Sequence, residues 1–553
     1  LIPTDSAIAV GNTRVNTAGT YVFADLQIAA AGSHPLKLIT PQGSATVPFQ
    51  VLDPLPRSGR FQGFSPNDLI YLIMPDRFAN GDPSNDDPAI SKGLFDPAKP
   101  RYYHGGDLQG IIEHLPYLKD LGVTALWINP LYDNVNHLNQ KETYDGEGIA
   151  DYHGYGAVDF YGLEEHFGTM QTFRDLVDRA HASGIKVILD MVENHTGPYH
   201  PWVDDPPLPD WFHGSVSNHL KESWQTWTLI DPHAPEAVRK STLDGWFIDI
   251  LPDLNQDQPE VARYLIQNTL WWVDMTGIDG IRQDTLPYVP RSFWRDWMAA
   301  IKRAHPQMRV VGEVFDGDPS LVSFFQGGKA RFDGVDSGVD TVFDFPSYFA
   351  IRHSFANGLP IKEIPVALAH DYLYPHPEWL VTFLGLHDVE RFRNEKGATV
   401  ERLKLAFTYL LTTRGIPMIY YGDEIGMQGA GDPDNRRDFP SSAFTSAGRT
   451  PEQTEIFDHV RKLAHLRSTI AALRQAPLDA LAETDNSFVY ARGDAVIVAI
   501  NNGNDPDSVD VAAHPGTWHD ELGTLSDLSS TGKELRLTMP PHTAAILVRT
   551  KTR

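Results

Sequence analysis

Four short motifs carry most of the reactive side chains in this chain of 553 residues. Asp284, Glu313 and Asp388 supply three carboxyl groups, and the motif at 190–195 adds an aspartate, a glutamate and a histidine. Each motif follows an apolar run rich in Val, Ile or Leu, so that a polar residue closes a buried segment. Carboxyl groups whose surroundings differ can divide the roles of nucleophile and proton donor. The pattern therefore predicts an active site assembled from the ends of several strands.

Eight apolar segments of strand length recur along the chain. They lie at 69–74, 123–129, 185–190, 278–282, 309–313, 341–345, 381–386 and 416–421, and the segment at 341–345 is the weakest. Stretches typical of helices, at 170–182, 260–274, 291–304 and 399–411, separate most of them. Parallel barrel strands are apolar on both faces and collect functional groups at their carboxyl ends. We therefore predict an α/β fold built on a (β/α)8 barrel, a TIM barrel.

Further motifs accompany the four acidic ones in a fixed order. They are Tyr-His-Gly-Tyr at 152–155, Asp-Phe-Tyr at 159–161, Phe-Gly-Thr at 167–169, Leu-Pro-Asp-Leu-Asn at 251–255 and Asp-Pro-Asp-Asn-Arg-Arg at 432–437. Over residues 63–466 this set resembles the α-amylase family of retaining glycoside hydrolases and transglycosylases. The segment at 432–437 is similar to a sugar-contacting loop of the cyclodextrin-acting branch, which includes cyclomaltodextrinases and neopullulanase-like enzymes.

The resemblance implies a role for each acidic residue. Asp284 corresponds to the nucleophile and Glu313 to the acid/base of a retaining glycosidase. Asp388 would bind ring hydroxyls and stabilise the positive transition state. Arg282, two residues before Asp284, would share its face of the strand and keep that carboxylate ionised. We expect Asp190 to support Arg282 or the barrel end rather than to touch substrate.

Seven side chains are expected to bind sugar by resemblance. They are Arg282, already named beside the acidic residues, and Tyr155, His153, His195, His387, Asp432 and Arg436. His195 and His387 would donate to hydroxyls of the sugar before the cleaved bond, and Tyr155 would offer a stacking face, although simple packing is an equal alternative. Asp432 and Arg436 would contact sugars toward the non-reducing end, the alternative being a solvated loop salt bridge.

A loop rich in Asn and Asp follows the first predicted strand and is expected to bind calcium. Its candidate ligands are Asn80, Asp82, Asn85, Asp86, Gly105 and Asp107. Short oxygen-bearing side chains completed by a backbone carbonyl suit a hard cation with six or more ligands. The alternative is an ordinary turn, but the segment resembles the calcium loop of cyclodextrin glucanotransferases. The ion would be structural, since the loop lies away from the acids.

Several positions depart from the family pattern. Asp284 is followed by Thr-Leu-Pro-Tyr where many amylases carry Lys-His, so the family's contacts to the leaving group cannot be transferred to this chain. The missing His also weakens the case for the calcium site that many amylases have near Asn194, so Asn194 is not assigned as a metal ligand. Leu386 stands where Asn is frequent before His-Asp. Gly156 replaces a frequent aromatic residue and should open space beside the cleft. Other acids, such as those at 142–147 and 204–205, are expected to be solvated surface.

Three domains are predicted. Residues 1–60 read as an N-terminal β-sandwich, 61–470 as the barrel with an inserted loop domain at 196–257 after the third strand, and 471–553 as an antiparallel β-sandwich domain. The inserted domain carries Trp202, Trp211, Trp224 and Trp227, each of which could stack on sugar or pack in a core. In cyclodextrin-acting relatives a similar N-terminal module helps form a dimer, so a homodimer is possible here.

Composition limits the classes of molecule that this chain is expected to bind. The net charge of −26 disfavours nucleic acid and anionic membranes, and no apolar run is long enough to span a bilayer. The absence of cysteine excludes disulfides without fixing the compartment. The chain starts at Leu1, so a leader could have been removed; we expect a periplasmic or secreted protein, with a cytoplasmic one possible.

The expected activity is retaining hydrolysis of α-1,4-glucosidic bonds in cyclodextrins, maltooligosaccharides or starch-type glucans. A transglycosylase of the same fold is the first alternative, because sugar and water compete for one covalent intermediate. A non-catalytic glucan-binding protein is the second, and the complete acidic set argues against it. No organic cofactor is expected.

Overall fold

Eight parallel strands form the central barrel of the computed structural model, which describes residues 1–550. In chain order they are Ile70–Ile73, Ala125–Ile128, Lys186–Met191, Gly280–Gln283, Arg309–Gly312, Thr341–Val342, Val381–Phe383 and Ile416–Tyr420. Each strand pairs with its neighbour in sequence, and Met418 to Tyr420 pair with Ile70 to Leu72. A single bridge between Phe343 and Val381 joins the sixth and seventh strands and completes the ring. The predicted TIM barrel is confirmed.

Helices cover the outside of this barrel. The longer ones are Leu108–Leu121, Met170–Ala182, Pro259–Thr276, Arg291–Ala304, Val400–Thr412 and Pro451–Thr469, with shorter ones at Pro319–Phe325, Phe345–Ile351, Glu363–Leu368 and Ala471–Gln475. The side chain of Thr169 caps Met170–Ala182 by accepting from the Thr172 amide. Gly277, at φ +76°, ends Pro259–Thr276 in the left-handed conformation that glycine tolerates best.

The barrel strands are buried because both faces are covered, and only Lys186 and Arg309, the first residues of their strands, are partly exposed. Ile70–Ile73 and Ala125–Ile128 are buried at every residue, which is why they read as continuous apolar runs rather than alternating ones. The seventh strand ends at Phe383, three residues before the predicted end at 386. Leu384 to Leu386 already belong to the loop that carries His387 and Asp388.

The N-terminal residues form small antiparallel sheets. Ile8–Val15 pairs with Val22–Ile28, Leu36–Thr40 lies between Ile2–Pro3 and Gly43–Val47, and Gly32–Ser33 pairs with Gln50–Val51. This module contacts the inserted domain, where the Tyr21 hydroxyl donates to the Asp205 carbonyl at 2.8 Å. It also contacts the helix Pro259–Thr276, where Arg263 donates to Asp25 at 2.8 Å.

The C-terminal residues form two packed antiparallel sheets. One has six strands, in the order Leu478–Glu483, Ser487–Arg492, Val496–Asn501, Thr543–Thr550, Gly516–Asp520 and Leu528–Ser530, and the other pairs Asp507–Ala512 with Glu534–Met539. A small core containing Val489, Trp518 and Leu537 lies between them. Across residues 1–550, no helix combines the length and apolarity needed to cross a membrane.

The loops at the carboxyl ends of the barrel strands are the long ones. The second loop contains the paired strands Asn139–Tyr144 and Glu147–Ile149 and the pair Tyr132–Asp133 with Asp159–Leu163. The third contains the inserted domain, with the helix Glu236–Leu243 and the short parallel pair Leu220–Lys221 and Gly245–Trp246. These loops form the walls of the cleft described below.

Candidate active site

The predicted acidic residues meet at the carboxyl end of the barrel. Asp284 directly follows the strand Gly280–Gln283, and Glu313 directly follows Arg309–Gly312. Asp388 lies in the loop after Val381–Phe383. All three line one cleft of about 480 Å³. The barrel thus brings together residues that are more than 100 positions apart in sequence.

Arg282 lies at the centre of this acidic set and is fully buried. Its Nη1 donates to Asp284 Oδ1 at 2.7 Å and to Asp190 Oδ1 at 2.9 Å. Its Nη2 lies 2.8 Å from Glu313 Oε1. One guanidinium group therefore holds three carboxyl groups, and Asp190 supports Arg282 from below without lining the cleft.

Glu313 occupies an environment that favours its protonated form. Burial raises the pKa of its carboxyl to about 8. The positive charge of Arg282 lowers this pKa, and the negative charges of Asp284 and Asp388 raise it. Only 7% of the residue is exposed. A carboxylic acid that keeps its proton near neutral pH can donate it to a leaving group.

The backbone after Asp284 is held in an unusual conformation. Thr285 has φ +51°, in the left-handed region that a β-branched residue rarely adopts. In this conformation the Thr285 amide donates to Glu313 Oε2 at 3.2 Å, and the Leu286 amide donates to the Glu313 carbonyl at 3.1 Å. The turn therefore ties the two neighbouring acidic residues to each other.

Asp388 and Asp432 are connected by Arg436. Arg436 Nη2 donates to Asp388 Oδ1 at 3.1 Å, and its Nη1 lies 3.3 Å from Asp432 Oδ1. Arg101, from the loop after the first strand, donates to Asp432 Oδ2 at 2.6 Å. Asp432 and Arg436 therefore both line the cleft. The ion pair between them is part of the cleft wall rather than a solvated loop contact.

Tyr155 and His387 form a stacked pair at the cleft floor. Their rings are 5.4 Å apart and inclined by 4°, and the Tyr155 hydroxyl lies 2.8 Å from both His387 Nε2 and Asp190 Oδ2. Burial lowers the pKa of His387 well below its usual value, and the charges of Arg436 and Arg282 lower it further. His387 is therefore neutral at ordinary pH and can bind a sugar hydroxyl without adding charge.

The two other predicted histidines also reach the cleft. His153 lies against Tyr155, with ring centroids 5.8 Å apart, and His195 stacks on Phe247 at 5.2 Å. Burial lowers the pKa of both imidazoles. His195 Nε2 is buried and has no hydrogen-bond partner within residues 1–550, and the residue lines the cleft.

Comparison with known proteins agrees with this arrangement. The profile of the family described as "Alpha amylase, catalytic domain" matches residues 72–471. The chain belongs to the α-amylase family. A cyclomaltodextrinase of Geobacillus thermopakistaniensis is 32% identical over 486 residues, which cover 85% of this chain and 75% of the relative. A β/α-amylase of Paenibacillus polymyxa is also 32% identical, but the match spans only 35% of that longer protein.

Solved structures of the family share the fold. The crystal structure of an Anoxybacillus α-amylase matches with a TM-score of 0.74 and 34% identity, covering 88% of this chain and 99% of that one. A cyclomaltodextrin glucanotransferase with a three-domain arrangement matches with a TM-score of 0.74 and 32% identity, covering 87% and 99%. Hydrolases and a transferase are therefore both among the relatives of this α-amylase family member.

An aromatic wall that the sequence analysis does not predict as a unit adjoins His195. Trp224, Phe247 and Tyr288 contact one another, with ring centroids 4.8 to 5.7 Å apart. Trp224 is 46% exposed and lines the cleft. Of the wall's three members, the sequence analysis names only Trp224 as a candidate for stacking on sugar. Trp211 is buried in the core, and Trp202 packs against it.

One expectation about surface acids was wrong. Glu142 lines the cleft and accepts from Arg101 Nη1 at 3.2 Å. Burial raises the pKa of Glu142, with Arg101 opposing the shift. The strand Asn139–Tyr144 folds over the cleft, and the polar sequence of that hairpin gave no sign of it. Arg101, Asn139 and Asp151 also line this end of the cleft and were not predicted.

The predicted calcium loop brings some of its candidate ligands together. The Asn80 amide donates to Asp86 Oδ1 at 2.8 Å, and a Cβ on Gly105 would lie 2.7 Å from both groups. Asn85 Oδ1 is buried without a partner among the described residues. The side-chain oxygens of Asp86 and Asn85 are of the type that a hard cation binds, whereas Asn80 turns its amide nitrogen toward Asp86.

Asp107 has a different position from the other candidates. Its carboxylate caps the helix Leu108–Leu121 by accepting from the Gly110 amide at 2.6 Å, and it also accepts from the Asp82 amide at 2.7 Å. Its observed contacts therefore hold the loop against the helix. Elsewhere in residues 1–550, Glu164, Glu165 and His166 are close enough to share an ion, and none of them was predicted.

Proposed function

We propose that this protein hydrolyses α-1,4-glucosidic bonds with retention of configuration, acting on cyclodextrins and maltooligosaccharides. The single observation that carries the proposal is the contrast between two neighbouring carboxyl groups. Asp284 receives a hydrogen bond from Arg282 at 2.7 Å, whereas burial raises the pKa of Glu313 to about 8. Retaining glycosidases require this division between an attacking carboxylate and a protonated acid.

The first chemical step uses both groups at once. Asp284 attacks the anomeric carbon while the bond to the leaving oxygen breaks and Glu313 transfers its proton to that oxygen. Arg282 binds Asp284 Oδ1, which leaves the other carboxylate oxygen for the attack. The product is a covalent glycosyl-enzyme, and Asp388 contributes negative charge beside the positive transition state.

Water resolves the covalent intermediate in the second step. Glu313, now ionised, accepts a proton from the water as its oxygen attacks the anomeric carbon and Asp284 leaves. Arg282 favours the ionised form of Glu313 at this stage, because its Nη2 lies 2.8 Å from Glu313 Oε1. The same guanidinium therefore supports Asp284 before the attack and Glu313 after it.

The remaining predicted residues would hold the sugars. Tyr155, His153, His195, His387, Asp432 and Arg436 all line the cleft that holds Asp284. We assign the Asp432 end to the non-reducing side of the substrate and the wall of Trp224, Phe247 and Tyr288 to the leaving-group side. The names of the relatives support cyclodextrins as substrates.

Transglycosylation is the second candidate. It is favoured by the glucanotransferase that shares the fold at a TM-score of 0.74. An aromatic wall on the leaving-group side can hold an acceptor sugar in competition with water. The chemistry up to the glycosyl-enzyme is the same for both candidates.

We further propose that calcium binds at the loop of Asn80, Asp82, Asn85, Asp86 and Gly105. The support is the convergence of Asn80, Asp86 and Gly105 and the unpartnered Asn85 oxygen. In this proposal Asp107 orders the loop through its backbone contacts. The ion would stabilise the start of the helix Leu108–Leu121 and would take no part in the reaction.

The test is a product time course with β-cyclodextrin, soluble starch and pullulan offered separately at equal mass. The proposal expects rapid opening of the cyclodextrin to short maltooligosaccharides, with starch slower. Starch cleaved fastest would indicate an ordinary endo-acting amylase, and products longer than the substrate would favour the transferase. An absence of cleavage of all three would refute the proposal.

A further inference from the structure

The aromatic wall of the cleft depends on an unfavourable backbone conformation at Trp224. Trp224 has φ +58°, in the left-handed region that residues with a side chain rarely adopt. From this position it lines the cleft and meets Phe247 and Tyr288 edge-on, with ring centroids 4.8 and 5.6 Å away. Such a conformation costs free energy and persists only where the surrounding structure holds it. The groups that hold this turn therefore decide where the indole lies.

Glu222 is in contact with the turn through its buried side chain. Its Oε1 accepts from the Trp224 amide at 2.7 Å. Glu222 directly follows the strand Leu220–Lys221, and only 3% of the residue is exposed. Its own amide donates to the Trp246 carbonyl at 3.3 Å, and a Cβ at Gly245 would lie 2.6 Å from the Glu222 backbone. The backbone of Glu222 is thus fixed against the neighbouring strand, and its carboxyl is fixed on the Trp224 amide.

The rest of the 222–224 turn is anchored as well. The Ser223 hydroxyl lies 3.0 Å from the hydroxyl of Thr242, in the helix Glu236–Leu243. Phe247 directly follows Gly245–Trp246, the partner of the strand that precedes the turn. One small unit of the inserted domain therefore carries two of the three rings of the aromatic wall, and the hydrogen bond from Glu222 sets the conformation between its strand and the first ring.

The Glu222 carboxyl has no other observed use that would account for its burial. Its Oε2 is buried and has no hydrogen-bond partner among residues 1–550, which costs free energy of folding. Glu222 is not itself a lining residue of the cleft. Burial raises the pKa of Glu222 to about 8, and the hydrogen bond from the Trp224 amide opposes the shift. Near neutral pH the carboxyl is mostly protonated, and its other oxygen still accepts from the amide.

We propose that Glu222 is a positioning residue that fixes the indole of Trp224 for stacking on a sugar of the leaving-group side. The inference rests on the proposed function and adds to it a residue that acts through Trp224 without touching substrate. The ligand is the apolar face of a glucose unit in an α-glucan chain, which packs on an aromatic ring. Without the Glu222 acceptor, the left-handed conformation of Trp224 loses its support and the indole is no longer held in the cleft.

The test measures KM and kcat for maltoheptaose and kcat/KM for α-maltosyl fluoride, whose leaving group is fluoride rather than a sugar. Glu222→Met removes the acceptor but keeps a side chain of similar length, whereas Glu222→Gln keeps an acceptor oxygen. Glu222→Met should raise KM for maltoheptaose roughly fivefold, the size expected for one lost hydrogen bond, with kcat and the fluoride nearly unchanged. Glu222→Gln should retain the wild-type KM. Glu236→Ala, at an acid of the same domain whose side chain is 80% exposed, is the matched control.

A double-mutant cycle distinguishes positioning from a general structural role. In a Trp224→Ala background, Glu222→Met should have no further effect on KM for maltoheptaose, because the ring that Glu222 positions is absent. The same fivefold rise in that background would overturn the assignment. So would an equal loss on the fluoride, or a wild-type KM in Glu222→Met.

Two further results complete the test. If Glu222→Met does not fold, hydrogen exchange at the Trp224 amide decides: exchange should be slow in the wild type and in Glu222→Gln, and the rate of an unbonded amide in both would overturn the assignment. Failure of the wild-type protein to cleave either maltoheptaose or the fluoride would refute the proposed function instead.

Discussion

The pKa of Glu313 leads to a quantitative prediction about the pH dependence of catalysis. Glu313 is active in the first step as the protonated acid, so kcat/KM should fall as pH rises through about 8. At pH 7 a group with that pKa is about 90% protonated, whereas at its ordinary value of 4.5 it would be about 0.3% protonated. The protein environment thus provides a factor of about 300 in reactive enzyme at neutral pH.

The assay compares two leaving groups across pH 5 to 10. With β-cyclodextrin the leaving sugar oxygen needs a proton, so kcat/KM should decrease about tenfold per pH unit above 8. With α-maltosyl fluoride the leaving group needs far less acid assistance, so the decrease should be much weaker. Glu313→Gln should lower kcat/KM for the cyclodextrin by about a thousandfold and abolish its alkaline decrease, with a smaller loss on the fluoride.

Two results would refute this reasoning. If kcat/KM for the cyclodextrin declines from about pH 5, Glu313 is not held protonated by its surroundings. If both substrates share one alkaline limb, the ionising group is not the proton donor. A matched control is Glu165→Gln, at an acid outside the cleft, which should leave both profiles unchanged.

The remaining predictions concern the nucleophile, the aromatic wall and the metal. Asp284→Asn should abolish turnover of every substrate while circular dichroism and the melting temperature stay close to wild type, since the amide is isosteric; substantial residual activity free of contamination would exclude Asp284 as nucleophile. Trp224→Ala should raise KM for long maltooligosaccharides by roughly tenfold through loss of a stacking face, with little change for α-maltosyl fluoride; equal effects on both would place Trp224 elsewhere in the mechanism. Removal of divalent ions by a chelator should lower the melting temperature by a few degrees, calcium should restore it, and Asp86→Ala should no longer respond; an unchanged melting temperature in the wild type would argue against the calcium site.

The barrel could be predicted from sequence because its strands are buried on both faces. Two helices, Met170–Ala182 and Arg291–Ala304, have the bounds predicted from sequence. They could be predicted because each repeats its apolar residues at helical spacing. The sixth strand was the weakest prediction, and only Thr341–Val342 adopt strand geometry. A two-residue strand leaves almost no periodic signal.

The cleft residues at the ends of barrel strands could be predicted from sequence, whereas several cleft residues on long loops could not. Residues that end barrel strands, such as Asp284 and Glu313, are placed by the fold itself. Glu142 and Trp224 lie on long loops, and their positions depend on tertiary contacts such as the pairing of Asn139–Tyr144 with Glu147–Ile149. A polar hairpin reads as surface whether it faces solvent or covers a cleft, and nothing in local sequence distinguishes the two.

The ion pairs around Asp432 bear on how this protein can be altered. Arg101 follows the first barrel strand, Glu142 the second, and Asp432 with Arg436 the eighth, yet their side chains form one connected set. Exchanging any single loop for that of a relative would leave a half-buried charge without its counterpart. Loop grafts intended to change product length should therefore transfer all three segments together, and libraries that vary them independently should yield mostly unstable clones.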